Sequence, residues 1–432
     1  MSYNILKKKI TNKSATVAII GLGYVGLPLS ILAVQSGYHV LGFDVDKKKI
    51  DLIKNSKSYL KSINSKKIRY LIKRDFIATA EFNKLNSADI VIICVPTPIN
   101  KNKTPNLTYI ISAVRSIKKY IKKNTLIVLE STSYPGTTND LVAEPLESKF
   151  KIGQDVFIGF SPERVNPGRN ENSIKKIPKV VSGKTAKCLS LVDLFYKNLF
   201  ISTFRASSLE VGEFSKLLEN VYRAVNIGFI NEMKFIAEKM NINIYDAILA
   251  AKTKPYGFRA FLPGPGIGGH CIPVDPYFLY WKAKKLGATS NFIKLSGEVN
   301  ENVQIRIVDK IKNYFRNKNL KNKKSKYKIL IVGISYKKNV DDTRESPAIK
   351  IVESLLKNNF NIYFYDNYVS IYNKKIFKKR LSNLNLKNSY FDASLILANH
   401  SKIDFKKIMK ISNIIFDSRF VYSFPNKKVV RV

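Results

Sequence analysis

The segment FLPGPGIGGHCIPVDP, residues 261–276, carries residue types suited to covalent chemistry. Glycine and proline at this density cannot continue a helix or a strand, so the segment predicts a fixed loop that presents His270 and Cys271. A carboxylate, Asp275, follows the cysteine by four residues, a pattern typical of a thiol nucleophile with a nearby proton acceptor. A buried structural cysteine is the alternative. His270 is either a loop histidine that hydrogen-bonds backbone or a base.

A second candidate site is the glycine-rich sequence AIIGLGYVG, residues 18–26. Its G-x-G-x-x-G spacing falls between a predicted strand and a predicted helix, where the glycines permit a tight turn, close approach to a pyrophosphate and close helix packing. The next strand ends at Asp44, whose carboxylate can bind an adenosine ribose and repel the 2′-phosphate of NADP. NAD is therefore the predicted cofactor, although an ordinary strand–helix turn is the alternative. The predicted cofactor-binding residues here are Gly21, Gly23, Tyr24, Val25, Gly26 and Asp44.

Two further turns follow apolar strands at 90–95 and 126–129. The first contains Pro96 and Thr97, and the second contains Thr132. Ligands of open α/β sheets bind at the carboxyl ends of parallel strands, so these residues are candidates to line the nicotinamide or a substrate. Each threonine could equally be a helix cap.

Strands alternate with helices along the first part of the chain, which predicts a doubly wound parallel sheet. A proline-free stretch from Leu209 to Met240 with helical periodicity predicts a long spine helix. A second strand–turn–helix unit begins near Tyr327. The predicted fold is α/β, with two doubly wound Rossmann-like domains joined by a helical central domain, and the predicted boundaries are 1–204, 205–318 and 319–432.

Composition limits the classes of function. Three scattered cysteines in 432 residues are too few for a disulfide framework or a zinc site, so no metal is predicted and a reducing compartment is expected. The net charge of +42 is spread along the chain, which favours a solvated surface over a nucleic-acid interface. No apolar run reaches the ~18 residues of a membrane helix, and no signal peptide is predicted. A cytoplasmic protein without membrane insertion is expected.

Several motifs together resemble the UDP-sugar 6-dehydrogenase (UDP-glucose/GDP-mannose dehydrogenase) family over nearly the whole chain. They are GLGYVGLPL, VPTP, EST-x-x-PGTT, SPERVNPG, KLLEN, VNIGFINE, GPGIGGHCIPVDP and GISYKKNVDDTRESPAI. The resemblance implies an NAD-dependent oxidation of the sugar C6 alcohol to a carboxylate, with a homodimer or higher homo-oligomer. It also implies an NAD-binding first domain, a central dimerisation and catalytic domain and a C-terminal UDP-sugar-binding domain.

The resemblance also implies roles for individual residues. Cys271 would attack the C6 aldehyde and carry a thioester, while Asp275 and Thr132 would help to activate the hydrolytic water. Glu163 would serve as a further acid or base. Lys216 and Asn220, on one face of a helix, would stabilise oxyanions and position the sugar. The implied substrate-binding residues are Glu163, Arg164, Lys216, Asn220, Arg259, Gly268, Lys337, Lys338 and Arg344.

One position departs from the UDP-glucose enzymes of this family. They commonly carry a second glutamate four residues after the SPE glutamate, and this chain has Pro167 there. The segment resembles the branch that acts on N-acetylated hexosamines, so UDP-N-acetylglucosamine is the expected substrate. UDP-glucose, UDP-N-acetylgalactosamine and UDP-N-acetylmannosamine are the alternatives within the family, and a catalytically inactive nucleotide-sugar-binding protein is an alternative of another class.

Overall fold

The computed structural model describes residues 2–60, 63–74, 76–164, 175–317, 326–369, 389–424 and 426–432. Pro167 and most of the SPERVNPG motif lie outside the described residues. Among the helices in these ranges, none combines the length and apolar character needed to cross a membrane.

The chain divides into two compact units. The first contains Met1–Glu219 and Tyr277–Ala288, and the second contains Asn220–Pro276 and Thr289–Val432. The predicted boundaries at 204/205 and 318/319 stay a prediction.

The first unit is built on an eight-stranded sheet of order β3-β2-β1-β4-β5-β6-β7-β8. Its strands are β1 (Thr16–Ile20), β2 (His39–Phe43), β3 (Phe76–Thr79), β4 (Ile90–Ile93), β5 (Thr125–Leu129), β6 (Val156–Phe160), β7 (Lys179–Gly183) and β8 (Thr203–Arg205). Strands β1 to β6 pair in parallel, whereas β7 runs antiparallel to β6. The reversed strand places its first residue, Lys179, at the sheet edge where β5 and β6 end.

Helices cover both faces of this sheet. They are α1 (Ser2–Thr11), α2 (Gly26–Gln35), α3 (Lys47–Lys54), α4 (Ser65–Lys73), α5 (Thr108–Tyr120), α6 (Glu144–Glu147) and α7 (Ala186–Lys197), with a 3-10 turn at Phe82–Ser87 and a π turn at Asn139–Ala143. Successive residues of β1 enter opposite cores: Val17 and Ile19 pack in one apolar cluster, Ala18 and Ile20 in the other. A sheet buried on both faces explains why its strands read as continuous apolar runs.

A long helix, α8 (Leu209–Lys239), contributes to both units. Ser208 precedes it, and its hydroxyl accepts a hydrogen bond from the Val211 N–H at 3.2 Å, which satisfies one of the unpaired N–H groups at the helix start. The helices that follow are α9 (Ile244–Lys252), α10 (Asp275–Lys285) and α11 (Asn291–Asn317).

The second unit contains a five-stranded sheet of order β10-β9-β11-β12-β13, in which every pair is parallel. The strands are β9 (Lys328–Val332), β10 (Asn361–Tyr365), β11 (Phe391–Ile396), β12 (Ser412–Asp417) and β13 (Val429–Arg431), and the helices between them are α12 (Pro347–Lys357) and α13 (Phe405–Lys410). Alternate residues of β9 again enter two apolar clusters, so this sheet is also covered on both faces.

The predicted fold class is confirmed: the chain is α/β, with one mostly parallel sheet and one fully parallel sheet, each with helices along the chain between its strands. The long helix predicted over 209–240 is observed at Leu209–Lys239. The sequence patterns did not predict α1, the strands β6 to β8 or the 27-residue helix α11.

Candidate active site

The glycine-rich turn after β1 has the geometry that a pyrophosphate needs. Gly21 has a φ of +96°, and a Cβ there would lie 2.6 Å from the Cys94 carbonyl oxygen. A Cβ on Gly26 would lie 1.9 Å from the Gly21 oxygen, so only glycine lets α2 start this close to the strand. A Cβ on Gly23 would meet no atom within 4 Å, which leaves room for phosphate oxygens beside the helix N-terminus. The residues present therefore fit NAD.

Asp44 lies one residue after β2 and is buried. Its carboxylate accepts hydrogen bonds from the backbone N–H of Leu22 at 3.0 Å and of Asp46 at 2.9 Å. The Lys49 ammonium is 3.0 Å from the same carboxylate. These contacts fix the acid beside the glycine turn, and they also keep a lysine next to the predicted ribose position.

The turns after β4 and β5 contain the two predicted threonines. Thr97 is buried, Thr132 is partly buried and Pro96 is exposed. The helix α5 begins at Thr108 after Leu107, and the π turn begins at Asn139 after Thr138. The alternative interpretation of Thr97 and Thr132 as helix caps is therefore wrong.

Glu163 follows β6, and its carboxylate contacts the Lys179 ammonium at 3.3 Å. The next residue, Arg164, pairs with Glu219 at 2.6 Å and donates to the Pro178 carbonyl at 2.9 Å. Glu163 thus lies beside a buried lysine that the sequence analysis did not select.

Lys216 is buried on α8, one turn after Glu213. The Glu213 carboxylate accepts hydrogen bonds from Gly136 N–H at 2.6 Å and from Thr138 N–H at 2.8 Å. Burial raises the pKa of the Glu213 carboxyl to about 7, although the bonds from Thr138 and Gly136 oppose that rise. Glu213 holds the PGTT turn on the helix that carries Lys216. Its position three residues before Lys216 was the only sequence signal for this role.

In the second unit, the structure places Asn220 next to Asp275. The Asn220 amide donates to the Asp275 carboxylate at 2.6 Å, and Asp275 is 2% exposed. The Asp275 N–H donates to the Cys271 carbonyl at 2.7 Å. Cys271 itself is exposed, which contradicts the alternative of a buried structural cysteine.

Buried amide side chains support the loop that carries Cys271. Gly264 N–H donates to the Asn231 oxygen at 3.0 Å, and the Asn231 amide donates to Asn300 at 3.0 Å. The Asn300 amide in turn donates to the Ser296 carbonyl at 2.8 Å. Both asparagines are buried, so α8 and α11 jointly fix the loop. The sequence analysis missed them, because a buried asparagine has no distinctive spacing.

The same loop rests on the turn after β9. Gly269 N–H donates to the Arg344 carbonyl at 3.0 Å, and a Cβ on Gly268 would lie 2.6 Å from Tyr336 Cβ. Burial lowers the pKa of His270, and the Arg344 guanidinium lowers it further. A neutral imidazole beside Cys271 is therefore favoured at neutral pH.

The predicted substrate-binding cations differ in their surroundings. Arg344 is exposed, and its guanidinium forms a two-point pair with Asp342, at 3.0 Å and 2.7 Å. Lys337 is partly buried, whereas Lys338 and Arg259 are exposed. Exposed cations on the turn after β9 can bind phosphate oxygens, because guanidinium and ammonium groups form charge-assisted hydrogen bonds with them.

Of the six predicted catalytic residues, three belong to each unit. Thr132, Glu163 and Lys216 lie in the first, and Asn220, Cys271 and Asp275 in the second. Among the described residues, no group of three or more His, Cys, Asp or Glu side chains is arranged to hold a metal ion.

Three domain models of one family together match most of the chain. Residues 15–200 match the NAD binding domain of the UDP-glucose/GDP-mannose dehydrogenase family, residues 210–302 its central domain and residues 330–424 its UDP binding domain. The chain is 32% identical to UDP-N-acetyl-D-glucosamine 6-dehydrogenase of Salmonella typhi over 94% of this chain and 96% of that protein. It is 35% identical to UDP-N-acetyl-D-mannosamine dehydrogenase of Methanocaldococcus jannaschii, over 93% and 92%.

A solved structure of a similar protein has the same fold as this chain. The UDP-D-ManNAc dehydrogenase from Pyrococcus horikoshii superimposes with a TM-score of 0.85 and 29% identity, over 96% of this chain and 98% of that chain. These matches confirm the resemblance that the sequence motifs indicated.

Proposed function

Because the chain belongs to the UDP-glucose/GDP-mannose dehydrogenase family and is an NAD-dependent UDP-sugar dehydrogenase, we propose that it oxidises C6 of a UDP-N-acetylhexosamine from alcohol to carboxylate. The observation that carries this proposal is the exposed Cys271 in a loop fixed next to buried Asp275 and Asn220. A thiol suits the further oxidation of an aldehyde, because it converts the carbonyl into a tetrahedral adduct that can give up a hydride.

NAD, when bound at the glycine-rich turn, supplies the hydride acceptor for both oxidations. Gly21, Gly23 and Gly26 would hold its pyrophosphate, and Asp44 its ribose. Tyr24, Val25, Pro96, Thr97 and Thr132 are proposed to line the remaining part of the cofactor site.

The roles proposed for the chain's own residues follow their chemistry. Cys271 attacks the C6 aldehyde, forming a carbon–sulfur bond, and the adduct becomes a thioester after the second oxidation. Lys216 and Asn220 stabilise the oxyanions that form at C6. Asp275, with Thr132, orients the water that hydrolyses the thioester, and Glu163 is a further acid or base.

UDP-sugar binding is proposed for the turn after β9 and its neighbours. Arg344, Lys337, Lys338 and Arg259 provide positive charge for the diphosphate. Gly268 lets the loop approach closely, and Arg164 is a further contact.

UDP-N-acetylglucosamine is the substrate we propose first, because the Salmonella relative carries that name and SPERVNPG resembles the N-acetylhexosamine branch. UDP-N-acetylmannosamine is the second candidate, because the Methanocaldococcus relative is named for it. The product, a UDP-linked uronate, suits surface polysaccharide synthesis in the cytoplasm.

A homodimer is proposed from the surface of α8. Large apolar side chains are exposed along it at spacings of three, four and seven residues: Val211, Phe214, Leu218, Tyr222, Phe229 and Ile236. An apolar stripe of this length is typical of a helix that packs against another protein surface.

The experiment is an NADH assay of the purified protein with UDP-N-acetylglucosamine, UDP-N-acetylmannosamine, UDP-N-acetylgalactosamine and UDP-glucose. We expect two NADH per uronate with an N-acetylhexosamine, and kcat/KM at least about tenfold lower for UDP-glucose. Binding of these sugars without NADH formation would instead support the inactive nucleotide-sugar-binding protein.

A further inference from the structure

Three charged side chains from three strand ends meet in the first unit, and the proposed reaction uses only one of them. The Lys179 ammonium lies 3.2 Å from the Glu130 carboxylate and 3.3 Å from the Glu163 carboxylate. The Lys179 and Glu130 side chains are 3% and 0% exposed, whereas that of Glu163 is 19% exposed. The cluster is therefore buried at one end and accessible only at Glu163.

The buried end of the cluster is firmly held. The Tyr196 hydroxyl donates to Glu130, and the rings of Tyr196 and Phe200 lie 5.2 Å and 5.3 Å from the Lys179 ammonium. Aromatic faces stabilise a desolvated cation. With an anchored carboxylate on one side and aromatic rings around it, the ammonium has few positions available.

The two carboxylates explain how a lysine ammonium can be buried at position 179. A buried ammonium is costly unless it is paired, and two carboxylates near each other repel unless a cation lies between them. Burial alone lowers the pKa of the Lys179 ammonium, but Glu130 and Glu163 outweigh burial and raise that pKa. Burial raises the pKa of the Glu130 carboxyl, and Lys179 opposes that rise.

We propose that Lys179 is a positioning residue for the enzyme's chemistry: anchored by Glu130, it fixes the carboxylate of Glu163 and holds a positive charge against it. The proposal rests on the proposed function in one respect, the role of Glu163 as acid or base. In this role Lys179 acts only through Glu163 and does not contact the sugar or the cofactor.

Several other titratable or charged groups lie near Glu163 or its neighbours. Glu130 adds negative charge behind Lys179, and burial, followed by the charge of Glu130, raises the pKa of the Cys94 thiol. Arg164 adds positive charge on the chain next to Glu163, and its guanidinium is paired with Glu219. Lys179 is in direct contact with both carboxylates.

The test compares Lys179→Met with the double variant Lys179→Met/Glu130→Gln. In the single variant, we expect kcat to fall about tenfold or more, with KM changed less, and the acid limb of the kcat–pH profile to move up by about one unit. The double variant removes one positive and one negative charge, so its acid limb should return towards the native position. Its kcat should stay low, because Glu163 still lacks its clamp.

Lys184→Met is the matched control, because Lys184 is exposed and lies just past the other end of β7. It should leave kcat and the pH profile unchanged. A purely structural role for Lys179 predicts that the double variant regains native kcat, and that result would overturn the proposal, as would a native pH profile in Lys179→Met.

Glu163→Gln separates this inference from the proposed function. Strong loss of kcat in Glu163→Gln together with native kinetics in Lys179→Met would overturn the role of Lys179 alone. Near-native kcat in Glu163→Gln would contradict the acid–base role of Glu163. It would also contradict the role of Lys179, which depends on Glu163.

Discussion

The loop that carries Cys271 exposes the thiol proposed as the nucleophile, while the polar residues next to the loop are buried. The thiol is exposed, while Asp275 and Asn220 are buried and hydrogen-bonded to each other at 2.6 Å. The bond from the Asn220 amide orients the Asp275 carboxylate. A carboxylate oriented in this way can act on water after the thioester has formed.

Replacing Cys271 should divide the reaction into its two oxidations. Cys271→Ala cannot form the thiol adduct, so uronate production should fall about a thousandfold or more and the product should be aldehyde. The measurement is the ratio of NADH formed to uronate released, with a carbonyl reagent to trap aldehyde. Cys188→Ala is the matched control, because Cys188 is buried between α7 and β6, and it should keep two NADH per uronate. Near-native uronate production by Cys271→Ala would contradict the thioester.

The preference for NAD should depend on Asp44. Asp44→Ala removes the carboxylate that is proposed to bind the ribose. In the native protein the Lys49 ammonium lies 3.0 Å from that carboxylate, so the substitution also leaves Lys49 without its ion pair. We expect kcat/KM for NAD to fall about 10- to 100-fold and kcat/KM for NADP to rise, so the ratio of the two values should decrease. The control is Asp46→Ala, which removes the acid that caps α3. Equal kcat/KM for the two cofactors in the native protein would rule out this role.

At the scale of elements, α8 combines several tasks along 31 residues. Its first part carries Glu213 and Lys216, and a later turn carries Asn231, which holds Gly264. Residues of one helix follow one another at about 1.5 Å along its axis, so all these side chains depend on the same ladder of backbone hydrogen bonds. Changes that weaken α8 should therefore affect stability and catalysis together.

Lys234 is a buried lysine on α8, and we expect it to lower the stability of the folded chain. It is 4% exposed, its ammonium has no hydrogen-bond partner among the described residues, and burial, followed by Lys310, lowers its pKa to about 8. Between pH 8 and about 10.5 the unfolded chain binds more protons at this site than the folded one, so stability should rise with pH there. Lys234→Met should raise the free energy of unfolding by about 1–3 kcal/mol at pH 7, and the gain should shrink as the pH rises from about 8 to about 10.5.

Urea unfolding at pH 7 and pH 10 measures this gain. Lys239→Met, on the same helix but exposed, should change the free energy of unfolding by no more than about 0.5 kcal/mol. A Lys234→Met protein less stable than the native one at pH 7 would show that the ammonium is stabilising.

The whole molecule contains two units, the first built on a mostly parallel sheet and the second on a fully parallel one, and each sheet is covered on both faces. Its net charge of +42 opposes association between copies, because like charges repel. The apolar stripe of α8 opposes this repulsion only if it is buried against a partner surface, which is what a homodimer would achieve.

Phe229→Lys tests the homodimer. Phe229 is 52% exposed in the middle of the stripe, so a charge there should turn the dimer into a monomer at micromolar concentration. Ile201→Lys is the control, because Ile201 is 70% exposed but outside the stripe, and it should stay dimeric. Sedimentation velocity measures both variants, and a monomeric native protein would refute the proposed interface.

The sequence determined the local features of this protein. The glycine turn at Gly21, the acid at Asp44 and the loop around Cys271 follow from residue types at short spacing, because backbone freedom and side-chain chemistry act locally. The long helix and the α/β class followed from periodicity. Short strands such as β7 and the helix α1 were missed, because few residues carry their pattern.

Tertiary structure decided which distant residues meet. Lys179 reaches Glu130 and Glu163 because β7 runs against β6, and no spacing in the sequence encodes that reversal. Asn231 and Asn300 are 69 residues apart and look like ordinary polar residues until burial makes each hydrogen bond necessary. Residue types indicate the chemistry of a site. The residues that hold the site in place are determined by packing, because packing brings together positions that are far apart in the sequence.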